Sequence, residues 1–143
     1  MKFGGTGTQK GMSVRQKLWF VYHVHELVMM AFNANDTILD FHHGDCVGFD
    51  DEAHDLIREF FPMVKIIGHP GIDHSGKSPK RAYKTCDELR EPKYYTDRNK
   101  DIVNEANILI AAPRHDRELI RSGTWQTIRY AQKLERHLIR LQR

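Results

Sequence analysis

The feature that most constrains this chain is an alternation: short β-branched or apolar runs are each followed by a longer amphipathic stretch, and the cycle recurs across all 143 residues. After a very short apolar start, a helical pattern begins at Ser13, a suitable N-cap, with Leu18, Val21, Tyr22, Leu27 and Val28 at three- and four-residue spacing. "DTILDFHHGD" then holds an apolar run, Ile38, Leu39 and Phe41, that is too short for a helix and reads as a buried strand. "DDEAHDLIREFF" is an amphipathic helix whose first-turn acids suit the positive end of a helix dipole. "MVKIIGHP" is a strand halted by Gly68, His69 and Pro70, and after a long irregular segment, 68–96, come helix "RNKDIVNE", strand "NILIAAP", helix "SGTWQTIRYAQKLE" and a weaker strand "HLIRL". Strands alternating with helices demand right-handed crossovers, so the prediction is an α/β fold: a Rossmann-like three-layer sandwich with a central parallel sheet of about five strands. The length suits one domain over residues 1–143.

Composition narrows the setting. No stretch approaches the roughly 18 uninterrupted apolar residues of a membrane span, and the N-terminus lacks the apolar core of a secretory leader, so a cytoplasmic protein is expected. Cys46 and Cys86 lack C-x-x-C spacing and read as reduced thiols. The formal net charge is only +3, too small for a general polyanion binder. Residues 114–143 nevertheless hold eight Lys/Arg against three acids, which leaves about −2 for the remainder. That excess reads either as a solvated helix face or as arginines around a phosphate-bearing ligand.

In open parallel sheets a ligand sits outside the carboxyl ends of the strands, where strand order reverses. The polar and glycine-rich segments all fall at that edge. "GGTGTQ" reads as a loop after the first strand, in which Gly5 and Gly7 admit close backbone approach and Thr6, Thr8 and Gln9 add donors for a phosphate. In "HHGDCVGFDDEAH", His43, Gly44, Asp45 and Gly48 form a strand-to-helix turn, with Asp45 placed for ligand hydroxyls and Asp50 read mainly as a helix N-cap. His69 and Pro70 end the third strand at the same edge, and Pro113 ends the fourth.

"RSGTWQTIRYA" is a candidate phosphate cradle: Ser122, Gly123 and Thr124 would present amides at a helix N-terminus, Arg121 would add a bidentate contact, and Trp125 either stacks on a base or packs in the core. Arg98 and Asn99 open the neighbouring helix, an unfavourable place for an arginine unless an anion is near. Nine histidines invite a metal reading, yet His23 and His25 point to different helix faces and His69, Asp73 and His74 lie in an irregular loop, so no metal is expected.

"GTGTQKGM", "HHGDCVGFDDEAH", "IIGHP", "YYTDRNKDIV", "ILIAAP" and "RSGTWQTIRYA" come in the order found in the SLOG superfamily, and over nearly its whole length the chain resembles a small stand-alone member, of bacterial or phage type. That group includes the LOG phosphoribohydrolases and the DNA-processing DprA proteins. The resemblance implies a nucleotide or an ADP-ribose-like ligand, including cyclic products of NAD, held with its phosphate on the late Gly-Thr turn. It also implies pairing of subunits through helices beside the crevice, as a homodimer or higher homo-oligomer. LOG enzymes cleave an N-glycosidic bond with an arginine, which Arg98 matches, and a glutamate in P-G-G-x-G-T-x-x-E, whose place Thr127 takes here. Loss of that carboxylate favours binding over hydrolysis, as a sensor or a sequestering protein without further cofactor. Nucleoside-monophosphate hydrolysis, with Glu118 or Asp45 in a substitute role, is the alternative. Single-stranded DNA binding of the DprA type is disfavoured, because aromatic residues interleave thinly with the basic ones.

Overall fold

A computed structural model describes all residues, Met1–Arg143. Its elements are β1 (Lys2–Gly7), α1 (Val14–Asn33), β2 (Asp40–His43), α2 (Phe49–Phe60), β3 (Lys65–Gly68), β4 (Gly71–Ile72), β5 (Glu88–Leu89), β6 (Lys93–Tyr94), α3 (Tyr95–Glu105), β7 (Ile108–Ala112), α4 (Gly123–Lys133) and β8 (His137–Arg140). Six strands form one sheet in the order β5-β3-β2-β1-β7-β8, all parallel. The chain therefore leaves β1 in one direction through β2 and β3, and returns to build β7 and β8 on the other side. The sixth strand is the two-residue β5, which lies in the segment read from the sequence as irregular; β4 and β6 pair separately there.

Two apolar layers hold the sandwich together. On one face, Phe3, Phe41, Ile66 and Ile110 of the sheet meet Phe20, Val24 and Leu27 of α1 and Phe49, Ala53 and Ile57 of α2. On the other, Ile102 and Val103 of α3 and Trp125, Ile128 and Ala131 of α4 cover Leu109 and Ala111. Each fully buried side chain of this size contributes about 1.5–3 kcal/mol. Ser13 caps α1 by accepting the Gln16 N–H while Gln16 reaches back to the Ser13 N–H, as a capping box requires. Gln16 is fully buried, and its amide also donates to the carbonyls of Pro113 and Leu141, tying α1 to the ends of β7 and β8.

Two local expectations shift. Gly4, Gly5 and Gly7 belong to β1 itself rather than to a loop, because helices lie almost on its backbone from both sides. A Cβ on Gly4 would come within 2.8 Å of Ile102, and one on Gly7 within 2.4 Å of the Phe49 ring. The second strand begins at Asp40, two residues later than Ile38, which is left 51% exposed. Pairing with Lys2–Gly4 sets that register and carries His42 and His43 into the sheet interior.

Candidate functional site

Parallel strands end with carbonyl oxygens that have no further strand to bond, and here that edge bounds a cavity of about 660 Å³. It lies beside β1 and β7, where strand order reverses, in the place such sheets use for ligands. Its volume falls within the range of small-molecule sites. The floor is the end of β1 and the turn after it, Gly5 to Lys10. One wall is the β2–α2 turn with Gly44, Cys46 and Asp50, another the start of α3 with Tyr95, Arg98 and Asn99. The last is the β7–α4 connection with Arg114, His115, Leu119 and the turn Ser122, Gly123 and Thr124. Lys80 and Asp73 reach the rim from the long segment after β3, so four Lys/Arg residues line the cavity against two acids.

The α4 turn exposes its amides as the sequence pattern suggests. Ser122 is the N-cap and its hydroxyl accepts the Trp125 N–H at 3.3 Å. The amides of Gly123 and Thr124 then have no partner inside the helix and sit at its positive end. Gly123 lines the cavity, and a Cβ built on it would meet nothing within 4 Å.

Arg98 is 94% buried and crosses the sheet edge. Its Nη1 donates to the carbonyls of Gly44 and of His69, the latter at 3.0 Å, and its Nε donates to the Asn99 side chain at 2.8 Å. The guanidinium thus closes off the carbonyls where β2 and β3 end. Gly44 makes this possible, since a Cβ there would meet Arg98 Nη1 at 2.3 Å. Asp50 lies in the first turn of α2, past the N-cap Gly48, and its Oδ2 accepts the amides of Gly44 and Cys46 at 3.1 Å each. Burial pushes its carboxyl up to about 6, against the pull of Arg98 and those two amides. The Cys46 thiol is raised by burial and by Asp50, which makes it a poor nucleophile.

Of the residues singled out in the sequence, Gly5, Thr6, Gly7, Thr8 and Gln9 line the cavity together with Gly44, Arg98, Asn99, Ser122, Gly123 and Thr124. Of the remaining residues expected to touch a ligand, His43, Asp45, Gly48, His69, Pro70, Pro113, Arg121 and Trp125 lie outside its lining. Asp45 is fully buried and pins the long segment instead: it accepts from Arg81 Nε and the Lys84 amide, both at 2.9 Å. His43 packs against His54, with ring nitrogens 3.1 Å apart, and His69 faces α3. Gly48 stands against the backbone of the Thr8–Gln9 turn, 2.5 Å from a would-be Cβ, with φ +87. Pro70 and Pro113 are buried at the edge, Pro113 offering its carbonyl to Gln16. Trp125 is core, 5% exposed against Ala111 and Ile128, and Arg121 points to solvent. Thr127 donates to the Gly123 carbonyl at 2.9 Å, and Glu118 pairs with Arg129 at 2.8 Å, so neither presents an acid to the cavity.

Asp50 is the carboxylate that the sequence reading underweighted. A first-turn acid is common as a dipole partner, and only the packing of α2 onto β1 turns it inward. Tyr95 and Lys80 carry no sequence signal of their own, whereas Arg114 is one of the basic residues of 114–143 and the proline that stops β7 places it at the sheet edge.

No model of a known protein family matches the chain, and no curated protein matches it either. Among solved structures, it is similar to the molybdenum cofactor binding protein from the phototrophic bacterium Rippkaea orientalis, with a TM-score of 0.65 over 97% of this chain and 74% of that one. At 16% identity the likeness is one of fold, a Rossmann-like sandwich. No helix is long and apolar enough to cross a membrane.

Proposed function

We propose that the cavity binds a nucleotide or an ADP-ribose-like molecule, with a phosphate on the α4 turn and the nucleoside extending toward Arg98 and Asp50. The observation that carries this reading is the convergence of free α4 amides, Arg98 and three further cations on one cavity at the reversal of strand order. Resemblance to SLOG proteins supports the same class of ligand. So does the similar fold of a protein described as binding the molybdenum cofactor, itself a small-molecule ligand. The chain acts on this reading as a sensor or a sequestering protein.

The test is thermal denaturation with AMP, NAD, ADP-ribose and cyclic ADP-ribose isomers. A ligand at 100 times its Kd stabilises by about 2.7 kcal/mol, which amounts to several degrees of Tm for a domain this size. Gly123→Val fills open space at the turn, so it should abolish the shift and leave the Tm of the free protein unchanged. No shift with any of these ligands, or an unaltered shift in Gly123→Val, removes the phosphate site from α4.

One observation favours a second reading, N-glycosidic hydrolysis of a nucleoside monophosphate. Asp50 lies in the cavity beside Arg98 with its carboxyl raised to about 6, the environment of a general acid or base. Release of free base from nucleoside monophosphates, lost in Asp50→Asn and in Arg98→Ala, would select this reading.

A further inference from the structure

On the α3 side of the sheet, away from the cavity lining, three side chains from distant parts of the chain meet. His42 lies on β2, His69 follows β3 and Glu105 ends α3. The sequence separates them by 27 and 36 residues, so no local spacing betrays them. His42 Nδ1 and His69 Nε2 are 2.9 Å apart, and Glu105 Oε2 is 3.2 Å from the first and 3.3 Å from the second.

Hydrogen bonds fill at most two of this triangle's three edges. A neutral imidazole carries a single N–H, and its other ring nitrogen offers a lone pair that a metal ion can take. With one hydrogen inside the triangle, one edge is lone pair against lone pair. With two, both N–H groups turn to the one carboxylate oxygen, and the ring nitrogens stand 2.9 Å apart with no bond between them. A cation at the centre satisfies all three atoms at once. Ligands about 2.0–2.1 Å from zinc in a tetrahedron stand roughly 3.3 Å from one another, which the two edges to Glu105 match and from which the 2.9 Å edge between the histidines departs by a small movement of the rings.

We propose that His42, His69 and Glu105 form a site for a divalent transition metal of the zinc class, with a fourth coordination position left to water. Two imidazoles and one carboxylate are a donor set that zinc accepts with an open position. The two histidines are 2% and 3% exposed while Glu105 is 37% exposed, so the ion enters from the side of Glu105. There Arg90 lies against the carboxylate, its Nη2 3.3 Å from Oε1, and must yield as the ion binds. Because the His69 carbonyl receives Arg98 Nη1 at 3.0 Å, an occupied site also fixes the strand end on which Arg98 rests.

A second cluster, His43, His54 and Cys86, has a different character. His43 Nδ1 accepts the Asp45 amide at 2.9 Å, so the neutral ring carries its hydrogen on Nε2, directed at His54 Nδ1. The lone pair a metal needs is then already replaced by a proton, and burial pushes the Cys86 thiol up to about 11. This group reads as a hydrogen-bonded part of the core.

Equilibrium dialysis of the tag-free chain against zinc, and cobalt(II) absorption as a probe of geometry, test the assignment. Near pH 7 the expected result is one ion per chain, with cobalt d–d bands of a four-coordinate site and no thiolate charge-transfer band. Glu105→Gln and His69→Gln should each weaken binding by about tenfold or more, since even outer-shell partners of a metal cost that much. Cys86→Ser should leave binding unchanged. Glu105 is partly exposed, so its variant keeps the test valid if His69→Gln fails to fold. Absence of a bound ion overturns the proposal, as does binding that survives Glu105→Gln, or a thiolate band that disappears in Cys86→Ser.

Discussion

Asp50 and Arg98 show how one residue's setting changes its chemistry. Arg98 is costly at the start of a helix unless something negative is near, and the sequence pointed to an external anion. The fold supplies internal partners as well, the carbonyls of Gly44 and His69, with Asp50 on the same turn as Gly44. Asp50 carries the opposite burden. Its folded value of about 6 lies above the ordinary carboxylate value near 4, so between those two pH values the folded protein holds a proton that the unfolded chain has released. Stability therefore falls as pH rises through that window, and the deficit persists above it. Asp50→Asn keeps the shape and an acceptor for the two amides. It should be more stable than the parent at pH 7, on the order of 2 kcal/mol, with the difference vanishing near pH 4. Urea unfolding at both pH values measures this. A less stable variant at pH 7 would mean that attraction to Arg98 outweighs the cost of burial.

At the scale of elements, β1 carries the tightest constraint. A glycine run usually marks a loop, and "GGTG" taken by itself predicts one. Here glycine serves a central strand, because Phe49 of α2 covers one side of it and Ile102 of α3 the other. Gly7→Ala should cost about 1–3 kcal/mol or more by overpacking against Phe49. Gly123→Ala, where a Cβ meets nothing, should be close to neutral. Thermal or chemical denaturation of the pair checks the contrast. Helices α1 and α2 were legible because an amphipathic helix needs only its own spacing to announce itself. The short strands were less so: β2 moved toward its histidines because a partner strand, rather than local hydrophobicity, sets register.

For the whole molecule, the outward side of α1 remains to be explained. Val14, Leu18, Tyr22, Met29 and Phe32 recur at three-, four- and seven-residue spacing and are 75%, 68%, 50%, 42% and 74% exposed. We propose that a second copy of the chain covers this apolar stripe. A homodimer is the expected state by light scattering coupled to gel filtration. Leu18→Glu with Phe32→Glu should convert it to monomer without loss of the fold, since neither side chain belongs to the core. A parent protein that is already monomeric sinks this assignment.

The sequence by itself determined the alternation of strand and helix, and with it a parallel sheet whose turns collect at one edge. Such patterns are local, because periodicity, caps and glycines act within a few residues. It also singled out the Ser122–Thr124 turn and Arg98 as candidates, because both stand at helix starts. Which acid faces the cavity was decided by tertiary structure: Asp45 turned away to Arg81 and Asp50 turned in. So was the meeting of His42, His69 and Glu105. Burial and contact between residues tens of positions apart exist only once the layers have packed, and spacing along the chain carries no record of them.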